Sequence, residues 1–373
     1  MSRQAAFEAF LSQYPAYAST AAIDDLRERE FSRLDRLGHV YLDYTGSGLY
    51  AESQVTRHRD LLAGGLFGNP HSINPTSLAS THAVEQSRTR VLDYFHADPA
   101  EYVVVFTANA SQALKLVGEA FPFDQDGHLL LTFDNHNSVN GIREFARRRG
   151  ATTRYVPVFP PELRLTDDVV EAFLQRGAEH PGRRLFAYPA QSNFSGVQHP
   201  LDWVTRARDY GFDVLLDAAA FAPTSRLDLS RVTPDFVTLS FYKMFGYPTG
   251  LGALIARREA LSRLARPWFA GGTIDVASVQ ADEHRLHGGG EAFEDGTPDF
   301  LGVPALPFGF DVLERVGVEC VHTRVETLTG WLLDQLQQLR HGNGRPLARI
   351  YGPTSTAERG GTVAFNLAAA DGT

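Results

Sequence analysis

The sequence predicts an α/β protein: a mostly parallel sheet in a large domain, joined to a smaller α+β domain built from both chain ends. Three observations predict it. Between residues 100 and 256, short apolar runs alternate with amphipathic, helix-like segments. The runs are apolar nearly throughout, as strands covered on both faces are. Helical patterns at 1–36 and 300–340 flank this block, with strand-like text at 346–367. The 373 residues suffice for two domains. The boundaries read as 55–265 for the large domain and 1–54 with 266–373 for the small one.

The elements follow in order. Residues 1–36 read as helical. YVVVFT (102–107) and HLLLTF (128–133) read as strands, and SVNGIREFARRRG (138–150) as a helix. RLFAYPA (184–190) is the next strand, PLDWVTRARDYG (200–211) the next helix, then the strands FDVLLDA (212–218) and DFVTLSF (235–241). GLGALIA (250–256) follows after a turn too short for a crossover helix, so it is expected to run antiparallel. Residues 300–340 read as one long helical stretch, and 346–367 as the opening of a second, smaller sheet.

Composition bounds the function. The chain is 43% hydrophobic and 21% charged, ordinary for a soluble enzyme. Its net charge of −9 argues against nucleic-acid or anionic-membrane partners. No apolar run is long enough to span a bilayer, and the N-terminus lacks the apolar core of a secretory signal. The single cysteine, Cys320, excludes an intrachain disulfide and a Cys-rich zinc site, and no metal is expected. These features read as a cytoplasmic enzyme.

Of 35 Lys+Arg, only Lys115 and Lys243 are lysine. Arginine pairs with anions well, but its guanidinium stays protonated and is a poor nucleophile. A lysine kept beside a strand points to a need for a primary amine, and so to Schiff-base chemistry. Ligands of open α/β sheets bind at the carboxyl ends of the strands. Those ends here carry Ala110 and Ser111, then His136, then Asn193, then Asp217, and finally Ser240, Tyr242 and Lys243. Each suits a phosphorylated aromatic aldehyde. Ala110 and Ser111 open a helix whose free amides favour a phosphate, with Ser240 adding a hydroxyl. His136 offers a ring to stack on a pyridine, Asn193 a partner for a ring hydroxyl, and Asp217 a carboxylate for the pyridine nitrogen. Taken singly, Asp217 is a turn former, His136 a loop histidine and Ser111 an ordinary helix start. Their convergence on one edge is what argues for a site. No G-x-G-x-x-G or Walker lysine follows the first strand, which disfavours a nucleotide-binding reading.

Several segments resemble the class V aminotransferase and cysteine desulfurase family, the pyridoxal-phosphate enzymes of fold type I. They include YLDYTGSGLYAESQV (41–55), GNPHS (68–72), FTANASQALKLVGEAFPF (106–123), LLDAAAFAPTSRLDLS (215–230), DFVTLSFYKMFGYPTGLGALIA (235–256), FEDGTPDFLGVPAL (293–306) and GGTVAFNL (360–367). The likeness runs from about residue 40 onward and is nearer to the desulfurase-like domain of the molybdenum cofactor sulfurases. It implies a seven-stranded, mostly parallel sheet and pyridoxal 5'-phosphate as cofactor. Lys243 would bond the cofactor, Asp217 would face its pyridine nitrogen, His136 would stack on its ring and Asn193 would face its hydroxyl. Ala110, Ser111, Ser240 and Tyr242 would surround its phosphate. Thr297, after Gly296, would complete the neighbouring subunit's site, implying a homodimer.

The chain departs from the family pattern in three places. Ala220 stands where desulfurases carry glutamine. Tyr44-Thr45 stands where the nearer relatives carry His-Ala, a change expected to reshape the substrate pocket. The family's catalytic cysteine lies on a loop beyond GGTVAFNL, and the chain stops at Thr373, so the C-terminal part reads as incomplete. Cys320 sits in a helical apolar pattern and reads as structural. The resemblance implies a small amino-acid substrate and sulfur transfer from L-cysteine to an acceptor protein. The alternatives are a β-eliminating C–S lyase, a class V aminotransferase or epimerase, and a cofactor-binding scaffold subunit.

Overall fold

The computed structural model describes residues 2–371, so Thr373 lies outside the described residues. At its centre is a seven-stranded sheet of β1 (Tyr102–Thr107), β2 (His128–Thr132), β3 (Thr152–Val156), β4 (Arg184–Pro189), β5 (Asp213–Asp217), β6 (Phe236–Ser240) and β7 (Gly252–Arg257). Their spatial order is β1-β7-β6-β5-β4-β2-β3. Only β7 is antiparallel to its neighbours β1 and β6. The segment between β6 and β7 holds a single-turn helix, Phe241–Phe245, and cannot carry the chain back across the sheet.

Alternate strand residues feed two cores. Val104, Leu130, Phe186, Leu216 and Val237 pack on one face. Val103, Val105, Leu129, Leu131, Leu185 and Leu215 pack on the other. Burial on both faces explains why the runs read as continuous rather than alternating. The strand missing from the sequence reading is β3, TTRYV, which lies at the sheet edge and buries only Val156 fully. A second unexpected element is the hairpin of β8 (Ile274–Ala277) and β9 (His284–Leu286).

The 300–340 stretch is not one helix. It divides into a 3₁₀ turn at Val303–Ala305 and helices Leu306–Val316 and Val318–Gln338. The break is Gly317, whose φ of +85° is strained for any other residue. Val303, Leu306 and Phe310 join the first core of the central sheet. The second helix carries Leu333 and Leu336, which pack on Ile350. Ile350 lies in β10 (Ala348–Tyr351), antiparallel to β11 (Ala364–Leu367), the small sheet the sequence anticipated. The N-terminal segment is helical at Arg3–Gln13, Pro15–Thr20, Ala21–Glu30 and Arg33–Arg36. Arg324 ties it to the long helix: its guanidinium lies 4.0 Å over the Tyr17 ring and makes 2.9 and 2.8 Å bonds to Asp24.

Candidate active site

The carboxyl ends of the parallel strands open onto a cavity of about 350 Å³. Ala110, Ser111, His136, Asn193, Asp217, Ser240, Tyr242 and Lys243 all line it. Five separate strand ends thus deliver the residues that the sequence singled out.

Lys243 sits on the one-turn helix after β6, half-buried. Its placement depends on two glycines. A Cβ at Gly246 (φ +76°) would sit 2.3 Å from Tyr50 N, and one at Gly48 would sit 2.9 Å from the Lys243 carbonyl oxygen. The Gly48 N–H also donates to the Tyr242 carbonyl (2.9 Å), so the 41–50 segment braces the lysine turn. Among the described residues the Lys243 amine has no ion pair, whereas Lys115 is exposed and lies 3.4 Å from Glu119.

Asp217 ends β5 and is buried, with 8% of its surface exposed. The Ala219 N–H (3.1 Å) and the Thr238 hydroxyl (3.3 Å) both donate to its Oδ1, which leaves Oδ2 for a donor in the cavity. Burial pushes this carboxyl above its usual range, and the Ala219 amide, Lys243, His136 and Thr238 offset only part of that.

The phosphate-like end is built around the helix Ala110–Ala120, capped by the Asn109 side chain, which accepts from Gln112 N. The Ala110 N–H donates to Ser240 Oγ (3.2 Å), and the Ser240 hydrogen remains free to donate. The Ser111 hydroxyl lies 2.6 Å from the Ser138 hydroxyl. Ser138 was not singled out by the sequence reading, yet its N–H also donates to His136 Nδ1 (3.1 Å). That bond keeps the His136 proton on Nε2. Behind the loop, Asp134 and His199 form a pair 2.8 Å apart, with side chains 6% and 1% exposed. Burial raises the Asp134 carboxyl, but the His199 ring outweighs it and holds it below its usual range.

The cavity also takes in residues that the sequence did not single out, among them Leu114, Pro189, Ala219, Thr249 and Gly250. Thr249 and Gly250 come from the turn into β7, and YPTG was the available signal. Ala220 lines the cavity and presents a methyl group there. Tyr44 and Thr45 do not line it. Thr45 instead bonds Thr362 through their hydroxyls at 2.8 Å. Thr297 is exposed and outside the cavity, 3.5 Å from Asn69 Nδ2. Cys320 lies in the helix Val318–Gln338, also outside the cavity. Among the described residues no helix is long and apolar enough to cross a membrane.

The donor set suits pyridoxal phosphate. It offers an unpaired amine, a buried carboxylate with a free oxygen, and a helix N-terminus with a hydroxyl donor.

Comparison with known proteins follows the same lines. The family model for aminotransferase class-V matches residues 40–373. Molybdenum cofactor sulfurase of Arabidopsis thaliana is 37% identical over 98% of this chain, and that of Bos taurus 40% identical over 92%. The chain spans 49% and 41% of those two relatives, about half their length or less. A solved apo structure of cysteine desulfurase from Thermococcus onnurineus NA1 superposes with a TM-score of 0.77. Its identity is 26%, over 92% of this chain and 82% of that one.

Proposed function

The chain belongs to the aminotransferase class-V family, and from that premise we propose that it is a pyridoxal-phosphate enzyme that removes sulfur from L-cysteine. The observation that carries the reading is the meeting of Lys243 and Asp217 in one cavity, an unpaired amine facing a buried carboxylate. When bound, pyridoxal phosphate supplies an electron sink for the charge that develops at the substrate α-carbon. Asp217, whose Oδ2 is left free by the bonds to Oδ1, would accept from the pyridine N–H and keep that proton in place. The Ser111 amide and the Ser240 hydroxyl would bind the phosphate, with the Ala110 N–H holding Ser240 Oγ (3.2 Å) and Tyr242 at the border. The His136 ring would stack on the pyridine and Asn193 would meet its hydroxyl. Lys243 Nζ, the unpaired amine of the cavity, would hold the cofactor's aldehyde carbon and would serve as the base for the α-proton of the amino acid.

Removal of sulfur leaves alanine and needs a thiol to accept the sulfur before it passes to an acceptor protein. Thr297, exposed on its turn, completes the cavity of a second copy in a homodimer. The chain divides into a large domain of 55–265, which supplies the whole cavity lining, and a smaller one of 1–54 with 266–373, a division that the packing of Ile350 on Leu333 and Leu336 supports. A cytoplasmic location is in keeping with a chain whose single cysteine precludes an internal disulfide.

A second reading is favoured by one observation: Cys320, the sole cysteine, does not line the cavity. A β-eliminating C–S lyase needs no enzyme thiol: the sulfur leaves as hydrogen sulfide, and water hydrolyses the remainder to pyruvate and ammonia. Cofactor-loaded protein incubated with L-cysteine, assayed for alanine and pyruvate together, separates the two. Alanine with transferable sulfur supports the desulfurase, and pyruvate without alanine supports the lyase. Neither product, with the visible cofactor band intact, sinks cysteine as substrate. Lys243→Ala is expected to lose the band and at least about 10³-fold in turnover.

A further inference from the structure

We propose that the amino-terminal edge of the central sheet holds a second ligand site, for a phosphate-class oxyanion. The site is a cavity of about 540 Å³ at the opposite strand ends from Lys243. Arg183, Arg184, Arg208, Arg257 and Arg263 all line it. A chain of net charge −9 gathers five guanidinium groups around one opening. That arrangement is local and does not follow from general basicity.

The carboxylates in the same lining are already engaged. Asp213 lies 2.5 Å and Glu259 3.0 Å from Arg263. Asp235 accepts the Val214 N–H (2.8 Å), and Asp124 accepts the Asp126 N–H (3.0 Å). The opposite wall is less closely paired, with Arg208 acting on Asp235 only at longer range and Arg184 Nε donating to the Gly211 carbonyl (3.3 Å). Among the described residues no carboxylate lies within 4.0 Å of Arg183, Arg184 or Arg208, although ion pairs at that range occur throughout the chain. Arg184 Nη1 donates only to the Ala178 and His180 carbonyls, and Arg208 Nη1 only to Thr233. Guanidinium forks of this kind match phosphate oxygens two at a time.

The Nε atoms of Arg257 and Arg263 are buried and have no hydrogen-bond partner, so these two guanidinium groups are incompletely satisfied by the protein. Nearby, His128 is pushed down to about 4, first by burial and then by His180, Arg154 and Arg184. The site is separate from the cofactor cavity. β5 runs from Asp213, in this lining, to Asp217, in the other. At about 3.3 Å per residue the two are roughly 13 Å apart.

Isothermal titration calorimetry on cofactor-saturated protein, in buffer free of phosphate, tests the site with inorganic phosphate and with adenosine monophosphate. Saturable one-site binding is expected with the visible cofactor band unchanged. Arg208→Gln and Arg183→Gln are each expected to weaken it about tenfold. Arg183 is exposed, so its replacement probes the site without threatening the fold. Tighter binding of the monophosphate supports a phosphate-ester ligand, and equal binding supports free phosphate. Absence of saturable heat from both probes overturns the proposal. So does binding that survives both substitutions, or binding that displaces the cofactor band.

Discussion

β5 is five residues long and carries an aspartate at each end. Asp213, at the amino end, is neutralised by Arg263 at 2.5 Å. Asp217, at the carboxyl end, is buried among hydrogen-bond donors but has no arginine or lysine within ion-pair range among the described residues. Its carboxyl is pushed up by burial, with Lys243 and His136 offsetting only part. The same side chain on the same strand is therefore paired at one end and left in need of a partner at the other. A fold that neutralises one carboxylate with arginine has the means to do so twice. That it does not at Asp217 places a ligand, not a neighbour, in the role of partner.

Asp217→Asn breaks this comparison most severely. Turnover with the amino-acid substrate is expected to fall by about 10²–10³, because the carboxylate that holds the pyridine proton is gone. The stability of the cofactor-free protein should move the other way. A carboxyl whose folded pKa is raised contributes stability below its unfolded pKa and loses it as pH rises through the folded value. Thermal melts of the cofactor-free protein should thus show the wild type losing ground to the Asn variant as pH rises above the ordinary carboxylate range. Turnover within tenfold of wild type, or a pH-independent difference in Tm, would place Asp217 outside the reacting centre.

Asp217 was legible in the sequence because it ends an apolar run, and so were Lys243, His136 and Ser240. Strand ends at a parallel sheet edge are the one place where sequence order and spatial convergence coincide. The central strands were legible for a related reason: burial on both faces leaves no polar alternation to confuse the reading. β3 was not, because an edge strand with TTRYV carries little apolar signal. Ser138 and Gly48 were not, because their roles depend on what packs against them from distant segments. The break at Gly317 was present in the text, but the apolar pattern on both sides hid it.

Asp213→Asn sharpens the comparison from the other end. It removes a close, partly buried ion pair and leaves Arg263 with Glu259 as its near partner. A loss of about 1–3 kcal/mol in unfolding free energy is expected, read by urea denaturation. The cofactor band and turnover should stay unchanged, since the effect is confined to the arginine-lined edge. A change in the visible band would mean that the two ends of β5 are coupled.

The smallest effect is expected from Cys320→Ser. Cys320 occupies the first turn of the Val318–Gln338 helix, half-buried and fixed by helical backbone bonds. A thiol that takes sulfur from a bound substrate has to reach the cavity, and a residue held in a helix has no swing with which to do so. Turnover of L-cysteine, measured as alanine plus pyruvate, should change by less than about twofold, within the usual range of a near-isosteric exchange at a half-buried position. If alanine formation collapses in the Ser variant while the cofactor band survives, the chemistry is not confined to the carboxyl edge of the sheet. The Val318–Gln338 helix would then have to move to the cavity during turnover. Retention of alanine formation would leave the sulfur to be taken up by a thiol other than Cys320.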